Sequence, residues 1–299
     1  MSATLYSIIP GWVVAVASRE APLVEPDWLQ ENLGREGLKV IEVDYDPDTA
    51  YKVGHIPGAL LIDWRKDLNK YPERDIIDKE GFEELMSRLG VSNDDLVILY
   101  GDYNNWFAAF AFWIFKIYGH EKVKLLNGGR TKWIQDGRPL TKEPPPQPKR
   151  TQYRVAKVDY SIRATFLDVL RNLRDPRVVL VDVRSPDEYT GKITAPPEYP
   201  NEAAQRGGHI PGAVNIPWAR TVNQDGTFKS PEELRRLYEE KGVTPDKEVI
   251  VYCRIGERAA HTFFVLTQLL GFKRVRVYDG SWSEWGNMVG VPIETGEGK

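Results

Sequence analysis

A chain of 299 residues with 41% hydrophobic content holds material for two domains of ordinary size, each able to bury a core. Its formal net charge of -3, with no block of like charge, argues against a nucleic-acid partner held by phosphate neutralisation and against attachment to a membrane surface. One cysteine and four histidines exclude an internal disulfide and a thiol-rich structural zinc site; no metal or cofactor is expected, and the expected compartment is a reducing cytoplasm.

The apolar stretch Leu5 to Ala17 lacks a basic leader, is interrupted by Pro10-Gly11 and is too short to span a bilayer, so no targeting signal is read there. The compact apolar runs Leu38 to Val43 and Val97 to Tyr100 suit strands covered on both faces, and helical runs alternate with them. Pro144, Pro145, Pro146 and Pro148 then favour an extended polyproline segment, which makes residues 141–157 a linker between a domain at 1–140 and another at 158–299. Strand-like runs return at Val178 to Val183, Val249 to Tyr252 and Arg274 to Tyr278. Ser230-Pro231-Glu232-Glu233 carries a hydroxyl cap, an early proline and a glutamate three residues on; a helix starts there, and Gly242 suits its end. The pattern predicts an α/β fold: two tandem domains, each a mainly parallel sheet flanked by helices.

The two domains are copies. Gly-His-Ile-Pro-Gly-Ala at Gly54 to Ala59 recurs at Gly208 to Ala213, and Val97 to Gly101 answers Val249 to Cys253 at a spacing of 152 residues. The same spacing pairs Gly119 with Gly271, Gly128 with Gly280 and Trp133 with Trp285. His55 and His209 occupy the repeated motif in both copies, thiol or not, which favours a structural turn role over proton transfer. Between Tyr189 and Gly208 the second copy has 18 residues where the first has two between Tyr51 and Gly54; this loop is either a neutral surface insertion or a wall of the site.

Cys253 ends a predicted buried strand, and the apolar spacing of Ala259, Ala260, Phe263, Phe264, Leu266 and Leu270 reads as an amphipathic helix after it. The backbone N–H groups of such a strand-loop-helix turn converge on an anion, and a cysteine there is expected to have its pKa lowered. Cys253-Arg254-Ile255-Gly256-Glu257-Arg258 sets two guanidinium groups and a glycine around the sulfur, a composition that core packing does not require. Glu257 opposes an anionic ligand unless it pairs with a neighbouring arginine. Asp182 and Arg184 read as a structural ion pair at the neighbouring strand end. His261 lies eight residues past the thiol, about 12 Å along a helix axis, and reads as helix surface or packing.

With the repeated Gly-His-Ile-Pro-Gly-Ala motif, the Cys253 to Arg258 loop and the terminal Gly280-Ser281-Trp282-Ser283-Glu284-Trp285-Gly286 with Gly290-Val291-Pro292, the chain resembles a tandem-domain rhodanese from about Val24 to Ile293. The resemblance implies a catalytically silent first copy, in accord with Gly101, and a thiosulfate sulfurtransferase. In it Cys253 attacks the outer sulfur of thiosulfate, sulfite leaves, and the Cys253 persulfide passes its sulfur to cyanide or a thiol. The implied partners are a small anionic sulfur donor and an external nucleophilic acceptor, since no second cysteine can resolve the persulfide within the chain. Arg254 and Arg258 are expected to hold the donor's sulfonate, with Ile255, Gly256 and Glu257 completing the binding loop. The vertebrate form of the family has a lysine at Ile255 and a substrate-contacting arginine at Glu188, so the anion contacts here must be distributed differently.

Two rivals share the cysteine: 3-mercaptopyruvate sulfurtransferase, whose loop typically has small neutral residues, and a persulfide carrier serving a partner protein. A phosphatase or arsenate reductase of Cys-x5-Arg type would need arginine at the sixth position, where Ala259 stands. In the first copy Asp102 replaces Arg254 and Trp106 replaces Arg258; Asp102 is expected to repel a thiolate and an anionic donor. Tyr103, Asn105 and Trp106 are candidates to line the cleft between the domains or to serve as plain packing.

Overall fold

A computed structural model of the chain describes residues 21–196 and 204–297, which leaves Leu5 to Ala17 outside the described residues. Each half builds a five-stranded parallel sheet. Across the first sheet the order is Leu23–Val24, Val123–Leu126, Leu96–Gly101, Leu38–Asp44 and Leu60–Asp63. The second repeats it with Arg163–Ala164, Val275–Tyr278, Glu248–Tyr252, Val178–Asp182 and Val214–Asn215. Parallel neighbours need long crossovers, the crossovers are helical, and helices on both faces explain strands that are apolar throughout. The five runs expected to be strands are strands, with ends displaced by no more than one residue. The helix Pro231–Glu239 starts at Ser230 with a reciprocal capping box to Glu233, as its sequence predicts.

The repeated motif fastens the turn after the second strand to the middle of each sheet. Tyr51 stacks on His55 with ring centroids 3.8 Å apart, and Tyr189 stacks on His209 at 3.6 Å. The Tyr100 hydroxyl accepts from the Ile56 N–H (2.9 Å) and the Tyr252 hydroxyl from the Ile210 N–H (3.1 Å). Both histidines are buried, with Nδ1 bonded to the carbonyls of Tyr51 and Tyr189. Their place in the fold is the turn itself, in both copies.

Residues 142–157 run without helix or strand along the first domain, held where the Tyr153 N–H donates to Ser87 Oγ (3.0 Å) and the Val155 N–H to Glu83 Oε1 (2.8 Å). Of the insertion at 190–207, the end at 204–207 is tied to the C-terminal region. Arg206 donates to the carbonyls of Trp285 and Gly286, both at 3.1 Å, and its own carbonyl accepts from Trp282 Nε1 at 2.9 Å.

The helix after Cys253, Glu257–Phe264, is buried on every face rather than amphipathic. One side lies on its own sheet; the other packs on the first domain's segment Asp102–Ile117, helical beyond a left-handed turn at Tyr103 to Asn105, with Phe112 and Phe264 edge to face at 4.9 Å. Apolar residues of both domains thus form one continuous core. Among the described residues no helix is long and apolar enough to cross a membrane.

Candidate active site

Cys253 directly follows the central strand of the second sheet, at the carboxyl edge where open α/β sheets bind ligands. Its N–H donates to Ser281 Oγ (3.1 Å), whose hydroxyl donates to the Tyr278 carbonyl (2.7 Å), and its carbonyl accepts from the Trp282 N–H (3.1 Å). These bonds lock the loop to the neighbouring strand end. Gly256, at φ 101°, turns its N–H back to the Cys253 Sγ at 3.1 Å; a Cβ there would stand 3.1 Å from Asp279 Cα, so both conformation and space call for glycine. The Ile255 carbonyl accepts from Arg74 Nη2 at 3.0 Å. Arg74 comes from the first domain, and no local pattern in the sequence marks it, because the contact joins residues 181 apart.

The expected low thiol pKa is overturned. Burial, and secondarily the Glu257 carboxylate, push Cys253 up to about 11, against the opposing pull of Arg258 and the loop amides. The sulfur is fully buried, and its S–H donates to Glu257 Oε2 at 3.3 Å. The other oxygen of Glu257 stands 3.4 Å from Arg258 Nε, the arginine pairing its sequence context predicts.

Arg258, expected at the donor's sulfonate, is engaged elsewhere. Its two terminal nitrogens donate to the two oxygens of buried Glu188, at 2.8 and 3.0 Å. Burial alone would raise the Glu188 pKa; Arg258, together with Arg184 and the Ser185 N–H, outweighs it and holds the carboxyl down to about 2. Glu188, where the vertebrate family has an arginine, thereby neutralises an arginine of the loop. Arg254 is fully buried, with its carbonyl accepting from the Ser283 N–H at 2.9 Å. Arg184 and Asp182 form the expected ion pair (2.6 Å), and Arg184 also donates to the Gly208 carbonyl (2.7 Å) and lies 4.5 Å over the Trp282 ring. His261 is packing rather than surface: it stacks on Phe228 at 4.9 Å, and burial lowers its pKa to about 3.

The first domain's counterpart is closed. A Cβ on Gly101 would lie 2.1 Å from the Val43 carbonyl oxygen. The loop after it runs left-handed through Tyr103, Asn104 and Asn105, and Asn105 fills the turn, accepting from the Gly101 N–H (3.0 Å) and donating to the Leu126 carbonyl (2.8 Å). Trp106, at the position of Arg258, does reach the domain interface, where it meets Trp218 edge to face at 4.7 Å and lies 5.6 Å from the Arg258 guanidinium carbon. Tyr103 stacks on Trp106 at 5.5 Å.

The repulsion expected of Asp102 is opposed by its own surroundings. Burial first and then Asp44 push the Asp102 carboxyl well above the usual carboxylate range, which favours its neutral form. An acid whose folded pKa is raised contributes stability fully below its unfolded pKa and loses it as pH climbs through the folded value. Asp102→Asn should therefore stabilise the protein on the order of a few kcal/mol at pH 9, less at pH 7 and hardly at all at pH 4. Thermal unfolding of both proteins at the three pH values checks this; an offset independent of pH would contradict it.

A family model described as a Rhodanese-like domain matches residues 25–136 and again 165–288. The sulfur carrier protein TtuD of Thermus thermophilus is 56% identical over 278 residues, covering 92% of this chain and 97% of that protein. A protein of Saccharopolyspora erythraea named "Putative thiosulfate sulfurtransferase" is 55% identical, covering 93% and 97%. Among solved structures, YnjE superposes with a TM-score of 0.80 at 28% identity, covering 92% of this chain and 68% of that one. A variant of EanB in complex with ergothioneine gives 0.81 at 26% identity, covering 93% and 71%.

Proposed function

The chain belongs to the rhodanese family, and from that premise we propose that it moves sulfane sulfur from thiosulfate to an external acceptor through a persulfide on Cys253. The observation that carries this reading is the chain's only cysteine placed after the central strand of the second sheet, with the Gly256 N–H donating to its sulfur at 3.1 Å. Attack of the Cys253 sulfur on the outer sulfur of thiosulfate expels sulfite. Loop amides, of which Gly256 is already aimed at the sulfur, then stabilise the persulfide anion in the manner of an oxyanion hole. Cyanide or a thiol takes the outer sulfur and regenerates the enzyme.

Arg254 is the residue assigned to the donor's sulfonate, since Arg258 is bound to Glu188. Losing one charge-assisted contact costs about 1.5–3 kcal/mol, so Arg254→Ala should lower kcat/KM for thiosulfate by roughly 10- to 150-fold. The deciding experiment is steady-state turnover with cyanide as acceptor and thiosulfate or 3-mercaptopyruvate as donor. Preference for mercaptopyruvate would move the protein to that class, and unchanged thiosulfate kinetics in Arg254→Ala would remove the assigned contact. A relative named a sulfur carrier protein favours a protein thiol among the acceptors, and the same Cys253 persulfide would serve it.

A further inference from the structure

On the reading of Cys253 as the nucleophile, we propose that Glu257 is its proton acceptor: the carboxylate takes the thiol proton as the sulfur attacks and returns it once the outer sulfur has left. The two groups are already joined, Cys253 S–H to Glu257 Oε2 at 3.3 Å, and neither is exposed. A thiol whose pKa is raised to about 11 holds almost no standing thiolate at neutral pH, so attack needs a base beside it.

Among the described residues, the other titratable groups around the loop do not offer one. Glu188 has both oxygens on Arg258. Asp279, behind Gly256, is paired with Arg163 at 2.8 and 2.9 Å. His261, a turn further along the same helix, is packed against Phe228 and Trp218. Arg74, Arg254 and Arg258 carry guanidinium groups, which donate only and have no lone pair to take up a proton. Among the described residues Glu257 is the carboxylate hydrogen-bonded to the Cys253 sulfur.

The assignment also removes the conflict of an acid in an anion-binding loop. As the Cys253 sulfur–sulfur bond forms, the thiosulfate sulfur–sulfur bond breaks, its electron pair leaves with sulfite, and the thiol proton passes to Glu257. The products are the persulfide anion, sulfite dianion and a neutral carboxylic acid, equal in charge to the thiol, thiosulfate dianion and carboxylate that entered. Glu257 is thus negative while the sulfur is protonated and neutral while the sulfur is an anion. Discharge to cyanide yields thiocyanate and the Cys253 thiolate, which recovers the proton from Glu257.

The test uses E257Q and E257D in the full chain, with two readouts. The first is sulfite release on mixing with thiosulfate without acceptor; the second is alkylation of the single cysteine by iodoacetamide, which needs the same proton loss but no sulfur donor. E257Q should react about 100-fold or more slowly than wild type at pH 7, with the deficit shrinking as pH rises and hydroxide replaces the missing base. E257D, which keeps a carboxylate, should fall between them. The opposite sign is the informative failure: if Glu257 acted only as an opposing charge, E257Q would lower the thiol pKa and react as fast as wild type or faster. A deficit of equal size at every pH would likewise overturn the proposal in favour of a positional role. A wild type that released no sulfite would defeat the thiosulfate reading alone, since alkylation would still decide the role of Glu257.

Discussion

Cys253→Ser is expected to abolish sulfur transfer while the fold survives. Serine is close in shape to cysteine, and its hydroxyl can accept from the Gly256 N–H and donate to Glu257 as the thiol does, so the buried loop keeps its bonds. What it loses is the soft sulfur that forms the persulfide. Turnover should drop by a factor on the order of 10⁴ or more, toward the uncatalysed rate, because removing a nucleophile removes the covalent route entirely. The thermal unfolding midpoint should stay near that of wild type, and mass spectrometry after thiosulfate treatment should find one added sulfur on wild type and none on the variant. Appreciable turnover by a well-folded Cys253→Ser protein would defeat the mechanism as a whole.

The double variant Gly101→Cys with Cys253→Ser should show no turnover and should also be less stable than either parent scaffold. The obstacle is the wall of the loop. A Cβ at residue 101 would stand 2.1 Å from the Val43 carbonyl oxygen, and Val43 lies opposite Gly101 in the pairing of Leu38–Asp44 with Leu96–Gly101. Two central strands must part to admit it. Forced overpacking of a well-filled core costs roughly 1–3 kcal/mol and occasionally more, and a clash with backbone belongs at the upper end. Differential calorimetry should register the loss as a lower unfolding midpoint, while assay with thiosulfate and cyanide should read background. Turnover by this protein would mean that the first loop can open into a working cradle.

Local sequence determined a good deal of this molecule. The strands could be read because parallel strands buried on both faces are continuous apolar runs, as in Val178–Asp182 and Glu248–Tyr252. The helix at Ser230 could be read because a capping box is a bond between residues three apart. The duplication was legible as motif and spacing, and it located Cys253 and its missing counterpart at Gly101 without any structure.

The electrostatic state of the site was decided only in three dimensions. Arg258 reads in sequence as a spare cation near a sulfur; Glu188, 70 residues away, takes both of its terminal nitrogens. Cys253 reads as a thiolate at a helix start, yet complete burial and a carboxylate at 3.3 Å reverse the direction of its pKa shift. Asp102 reads as a negative charge, and burial with Asp44 beside it favours its neutral form. In each case chain-local pattern reports which groups are near along the backbone. Desolvation and ion pairing depend instead on what the other domain and distant loops bring against them, and a pattern of local periodicity carries no record of that.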